Sequence, residues 1–165
     1  YPAIVEASYT RPPDTTAYAS GDSVANSTSA PVALEFTAAR FAGGGGRIVG
    51  AHFVDDSNPG TKGKFELWLF AAAAAPTATN DNSAIAWADA DLANLVGVIE
   101  FLDTEVRVAG ANSACTGRVG TSHVFELPFR CNAANQKLYG LVVVRSAYTP
   151  ANAGVLRFKL HLLQE

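Results

Sequence analysis

Short stretches in which apolar and polar residues alternate recur along most of this chain, and period-two alternation marks strands with one face in a core. The clearest is residues 155–163, where Leu156, Phe158, Leu160 and Leu162 fall on one side and Arg157, Lys159 and His161 on the other. Residues 32–39 read the same way, Val32, Leu34, Phe36 and Ala38 opposing Ala33, Glu35, Thr37 and Ala39. In residues 64–70, Phe65, Leu67 and Leu69 share one face while Glu66, Trp68 and Phe70 share the other. Both faces of that strand are therefore expected to be partly covered, one by a sandwich interior and one by a subunit or host surface. Further strands are read at 47–55, 95–101, 105–108, 123–129 and 138–145, between turn-forming Gly, Pro, Asn and Asp.

A single short helix is expected over residues 88–93, with Asp89 and Asp91 near its positive end. The tetraglycine Gly43-Gly44-Gly45-Gly46 lies between two alternating runs and reads as a loose connection between strands. Residues 1–8 can begin with a short strand, but Arg11-Pro12-Pro13-Asp14 ends it, and Thr, Ser, Pro, Ala and Asn dominate up to Pro31. Residues 1–31 are accordingly read as an N-terminal arm and residues 32–165 as the folded domain. No period of about 20 to 50 residues repeats, which argues against a propeller or solenoid. The expected fold is all-β: an antiparallel β-sandwich of jelly-roll type with one short helix.

Composition narrows the partners. The chain of 165 residues is 48% apolar but only 16% charged, so its surface is weakly charged and suits contact with other protein. Net charge is −3 and the densest basic cluster is Lys62 with Lys64, which leaves nucleic acid without the charge it needs. No apolar run approaches the roughly 20 residues of a membrane-spanning helix, and a soluble protein is expected. Methionine is absent, so an initiator and a few further residues are expected to be missing before Tyr1.

Chemistry is sparsely signalled. Cys115 and Cys131 flank one hairpin and read either as a disulfide, worth about 3 kcal/mol, or as two reduced, partly buried thiols. His52, His123 and His161 are scattered and lack metal-ligand spacing, so no metal is expected. Asp55 with Asp56, and Asp89 with Asp91, lack a third acidic neighbour and read as turn and helix-end residues. Ser122 and His123 adjoin, and adjacent strand residues face opposite ways, so they cannot pair as nucleophile and base. Trp68 beside Glu66 would suit a pyranose, which gives a carbohydrate-binding or receptor-facing β-sandwich module using Trp68 or Trp87 as the alternative function; a core or subunit contact is the other reading of the tryptophans.

Three segments carry a family resemblance: Tyr18-Ala19-Ser20-Gly21-Asp22-Ser23-Val24, the run from Gly43 through Arg47-Ile48-Val49-Gly50-Ala51-His52-Phe53-Val54-Asp55, and Phe65-Glu66-Leu67-Trp68-Leu69-Phe70. With Leu95-Val96-Gly97-Val98-Ile99, Leu138-Tyr139-Gly140-Leu141-Val142 and the amphipathic last strand, they resemble tailed-bacteriophage head-decoration, or capsid cement, proteins. The resemblance implies a small β-rich virion subunit on the outer capsid surface, often a homotrimer, that ties major capsid proteins together. It implies no enzyme activity and no cofactor. The contacts to capsid or sister subunits would then fall on Tyr1, Ile4, Tyr9 and Tyr18 of the arm and on Trp68 and Phe70 of the sheet.

Overall fold

The computed structural model describes residues 1–119 and 126–165. Ser122, His123 and the start of the strand expected at 123–129 lie outside these described residues. The fold is a sandwich of two antiparallel sheets. In the first, β1 (Pro2–Thr10) pairs with β11 (Val155–Gln164), which pairs with β4 (Gly45–Asp55). The free side of β4 is shared: its second half takes β8 (Asn112–Thr116), which carries β7 (Arg107–Ala109), and its first half takes β9 (Leu127–Arg130). The second sheet runs β10 (Lys137–Val144), β5 (Phe65–Phe70) and β6 (Leu95–Phe101), with β2 (Ser23–Val24) and β3 (Leu34–Thr37) following one another along the other side of β10. Counting β2 with β3, and β8 with β9, as single positions and β7 as an appended hairpin strand gives the jelly-roll order, in which first and last strands pair.

The core follows from the alternation. On β11, Leu156, Phe158, Leu160 and Leu162 are buried, and each contributes about 1.5–3 kcal/mol by leaving water. They meet Phe65, Leu67 and Leu69 of β5 in one cluster, where Phe53 packs within 4.8 Å of Phe65 and 5.1 Å of Phe158, ring centre to ring centre. The helix expected over 88–93 is present as α1 (Asp89–Leu92).

Three readings from sequence are corrected. Residues 1–31 are part of the sandwich and not an arm: β1 is paired with β11 from Pro2 to Thr10, and β2 is paired with β10. Charge locks the segment between them in place. Arg11, 2% exposed, lies over the ring of Tyr18 at 4.8 Å and donates from Nε to its hydroxyl and from Nη2 to Asp81 Oδ2 at 3.2 Å. Tyr18 donates to Asp81 Oδ1 at 2.7 Å, and the Ala25 N–H donates to the same oxygen at 2.8 Å. Burial holds the Asp81 carboxyl above its ordinary range, against the pull of these donors, and pushes the Tyr18 phenol far up so that it keeps its proton.

The tetraglycine is not a loose connection either. Gly45 and Gly46 open β4 where β9 and β11 close on it from both sides, and a Cβ on Gly46 would stand 2.3 Å from the Leu163 carbonyl oxygen. Gly43 turns the chain with φ of 71°, a conformation that favours glycine.

Finally, the outer side of β5 is covered by this chain itself. Phe70, Tyr139 and Leu141 pack with Ala33, and Trp68, Ala78 and Trp87 close over them, so the segment joining β5 to β6 folds back across the second sheet. That is why β10 is buried on both faces although only one faces the sandwich interior.

Candidate interaction surface

The outward face of the first sheet is laid out by its register. Glu6, Lys159 and His52 stand in one row across β1, β11 and β4; Ile4, His161 and Gly50 in the next; Pro2, Leu163 and Arg47 in the one beyond. The pairing of β11 with β4 shifts between His161 and Leu162, and the extra residue, Val49, is turned outward. The result is an apolar end: Ile4 is 64% exposed, Leu163 46% and Val49 39%, around a shallow hollow to which His161 and Leu162 contribute. Tyr1, 74% exposed, pairs with Gln164 and so alternates to the other side of β1, with the Arg40 guanidinium 5.6 Å from its ring centre.

The adjoining part of the face is charged. Glu6 meets Arg157 and Lys159, each at 3.3 Å, and the Lys159 contact is the first cause of a carboxyl held below its ordinary range. Exposed pairs of this kind add little stability and keep that half of the face hydrated. Apolar and polar areas thus lie side by side, the layout of a docking patch with a wet rim.

The histidines, scattered along the sequence, are in part gathered in space. His52 and His161 face each other with ring centres 4.8 Å apart and planes at 59°. Gly50 opposite His161 makes this contact accessible, since the imidazole of His161 lies over the position a side chain would take. Burial, then the charges of His161 and Lys159, lowers the proton affinity of His52. Periodicity placed His161 on an outward face but could not give the register that brings it to His52.

The expected contact residues divide. Ile4 is on the apolar end just described, whereas Tyr1 is exposed on the other side of β1, beside Arg40. Tyr18 and Phe70, at 2% and 0% exposure, are structural and corrected out of any contact set. Tyr9 is half-buried and donates its hydroxyl to the Val24 carbonyl at 2.8 Å. Trp68 is half-buried, edge-on to Trp87 at 5.1 Å, and donates from Nε1 to Glu66 Oε2 at 2.9 Å. Arg145 Nε donates to that same oxygen at 2.9 Å. Leu163 and Val49 were missed: the first is polar-phase only by strand counting, and the second is turned out by a bulge.

Cys115 and Cys131 are both free and buried. Cys115 stands opposite Phe53, while the Cys131 N–H bonds the Gly44 carbonyl nine positions earlier on the β4 track, roughly 25–30 Å away at strand rise. A disulfide needs Cα atoms within about 7 Å, so the pairing reading is overturned. Burial raises both thiols. The carboxylate pairs serve turns and ends: Asp55 accepts from Ser57 and from the Tyr148 hydroxyl at 2.6 Å, Asp56 from the Val155 N–H, and Asp91 from the Thr77 N–H. Among the described residues no three His, Cys, Asp or Glu side chains converge.

Comparison with family models, with curated proteins and with solved structures finds no match to this chain.

Proposed function

We propose that the chain is a virion structural subunit, a decoration or cement protein that sits on the outer surface of a phage head, associates with itself as a trimer and ties major capsid proteins together. The observation that carries this reading is the apolar end of the outward face formed by Ile4, Val49 and Leu163, which a jelly roll has no need of for its own core. Jelly rolls recur among capsid components, and the sequence segments quoted above resemble head-decoration proteins. In this reading docking uses the outer side of β1 and β11, and the residues before β3 contribute as sheet and not as a reaching arm. Many weak copies on one shell would supply the total strength.

The test is to mix the purified protein with undecorated capsids and follow sedimentation and capsid melting. Binding with a raised melting temperature is expected, together with its loss in Ile4→Asp and Leu163→Asp, whose exposed positions leave the fold intact. Capsids that neither bind nor melt later refute the reading.

Carbohydrate binding at Trp68 is the second reading. It is less well supported, because Glu66, the acceptor a sugar would use, already holds both Trp68 and Arg145. Tryptophan fluorescence unmoved across a broad oligosaccharide panel would end it.

A further inference from the structure

We propose that His52 and His161 together bind one first-row transition-metal ion, of the class of Zn²⁺, Ni²⁺ or Cu²⁺, on the outward face of the first sheet. Two imidazoles that share such an ion at about 2.1 Å from each nitrogen, with an angle of about 90–110° at the metal, have ring centres about 4.5–5.3 Å apart. The observed separation is 4.8 Å. No reach across the sheet is needed, because the two residues are diagonal neighbours on β11 and β4 and the His161 ring lies over Gly50, where no side chain intervenes.

Among the described residues, neither ring has a hydrogen-bond partner. Lys159, opposite His52 in the register, is paired with Glu6, which also holds Arg157, so a single carboxylate offsets only part of the positive charge beside the site. On the far side of His52 lie Glu105 and Arg107, and Glu105 is paired with Arg118. Two protein nitrogens leave the remaining positions to water, and nitrogen donors favour Cu²⁺ over Ni²⁺ and Zn²⁺ and give Mg²⁺ nothing to prefer.

The experiment is calorimetric titration of the tag-free protein at pH 7.5 with Zn²⁺, Ni²⁺, Cu²⁺ and Mg²⁺ separately, in a non-chelating buffer. One ion per chain is expected for the first three and none for Mg²⁺. His52→Gln and His161→Gln should each weaken Zn²⁺ binding roughly a hundredfold, the loss of the second arm of a chelate. Proton NMR of the unaltered protein gives a second readout that no folding defect can confuse: Ni²⁺ should broaden the His52 and His161 ring signals first. Absence of binding, binding that survives both substitutions together, or broadening centred on His123 overturns the proposal.

Discussion

The guanidinium of Arg11 meets the carboxylate of Asp81 at 3.2 Å, with the two side chains 0% and 1% exposed. This pair holds the segment after β1 to the segment that folds over the second sheet, and so ties together two stretches that carry little regular structure. Removing one partner leaves a charge buried without compensation, which costs about 3–5 kcal/mol. Asp81→Ala and Arg11→Ala are each expected to lower the unfolding free energy read from urea denaturation by that much. The double variant Arg11→Met with Asp81→Leu should lose less than the two losses added, because no lone charge is left; strict additivity would show the pair does not act as a unit.

At the start of β4 the backbone of β11 leaves no room for a side chain. Gly46→Ala would bring a methyl carbon to 2.3 Å from the Leu163 carbonyl oxygen, between two backbones that cannot both move. A loss of about 2 kcal/mol or more is expected in denaturant unfolding. Gly60→Ala is the control: nothing lies within 4 Å of its added carbon, and its stability should stay within about 0.5 kcal/mol of the parent. Equal effects at the two positions would mean that β4 enters the sheet by another route.

These two sites show where the sequence was legible and where it was not. The alternation of Leu156, Phe158, Leu160 and Leu162 reports burial directly, because each strand position sees one side of a sheet, and β11 and β5 were readable for that reason. Composition misled over residues 1–31, whose Pro, Ser and Thr look like solvent-facing chain. Their order comes from pairing with the last strand and from one buried guanidinium, both set by partners far away in sequence. Gly43-Gly44-Gly45-Gly46 misled in the opposite sense: glycine permits freedom, and here it permits close backbone approach, which composition cannot distinguish. The surface was half legible. Ile4 was visible as an apolar residue on an early strand, whereas Val49 depends on a bulge and the His52–His161 contact on register, and neither leaves a local signal.

The two thiols give a simple check of the strand order. Cys115 and Cys131 lie far apart along the track of β4 and are buried, with proton affinity raised by that burial. Ellman's reagent should find both thiols, but only slowly in the folded protein and at once in denaturant. Dithiothreitol should leave the melting temperature unchanged. A thiol count of zero in denaturant would place the two residues side by side and contradict the pairing of β8 and β9 along β4.

His52 makes stability depend on pH in a predictable direction. Its folded-state proton affinity is lowered by burial and by the charges of His161 and Lys159, while in the unfolded chain it titrates near about 6.5. Above that value neither state binds the proton and the residue has no effect. As pH falls below it, the unfolded chain takes up the proton and the folded one resists, so stability drops until the lowered folded value is passed, after which the loss is complete. His52→Gln removes this contribution, and its unfolding free energy should fall less steeply than the parent's between about pH 7 and 5. Parallel curves would mean that the ring is as freely protonated in the fold as in solution, and would separate His52 electrically from His161 and Lys159.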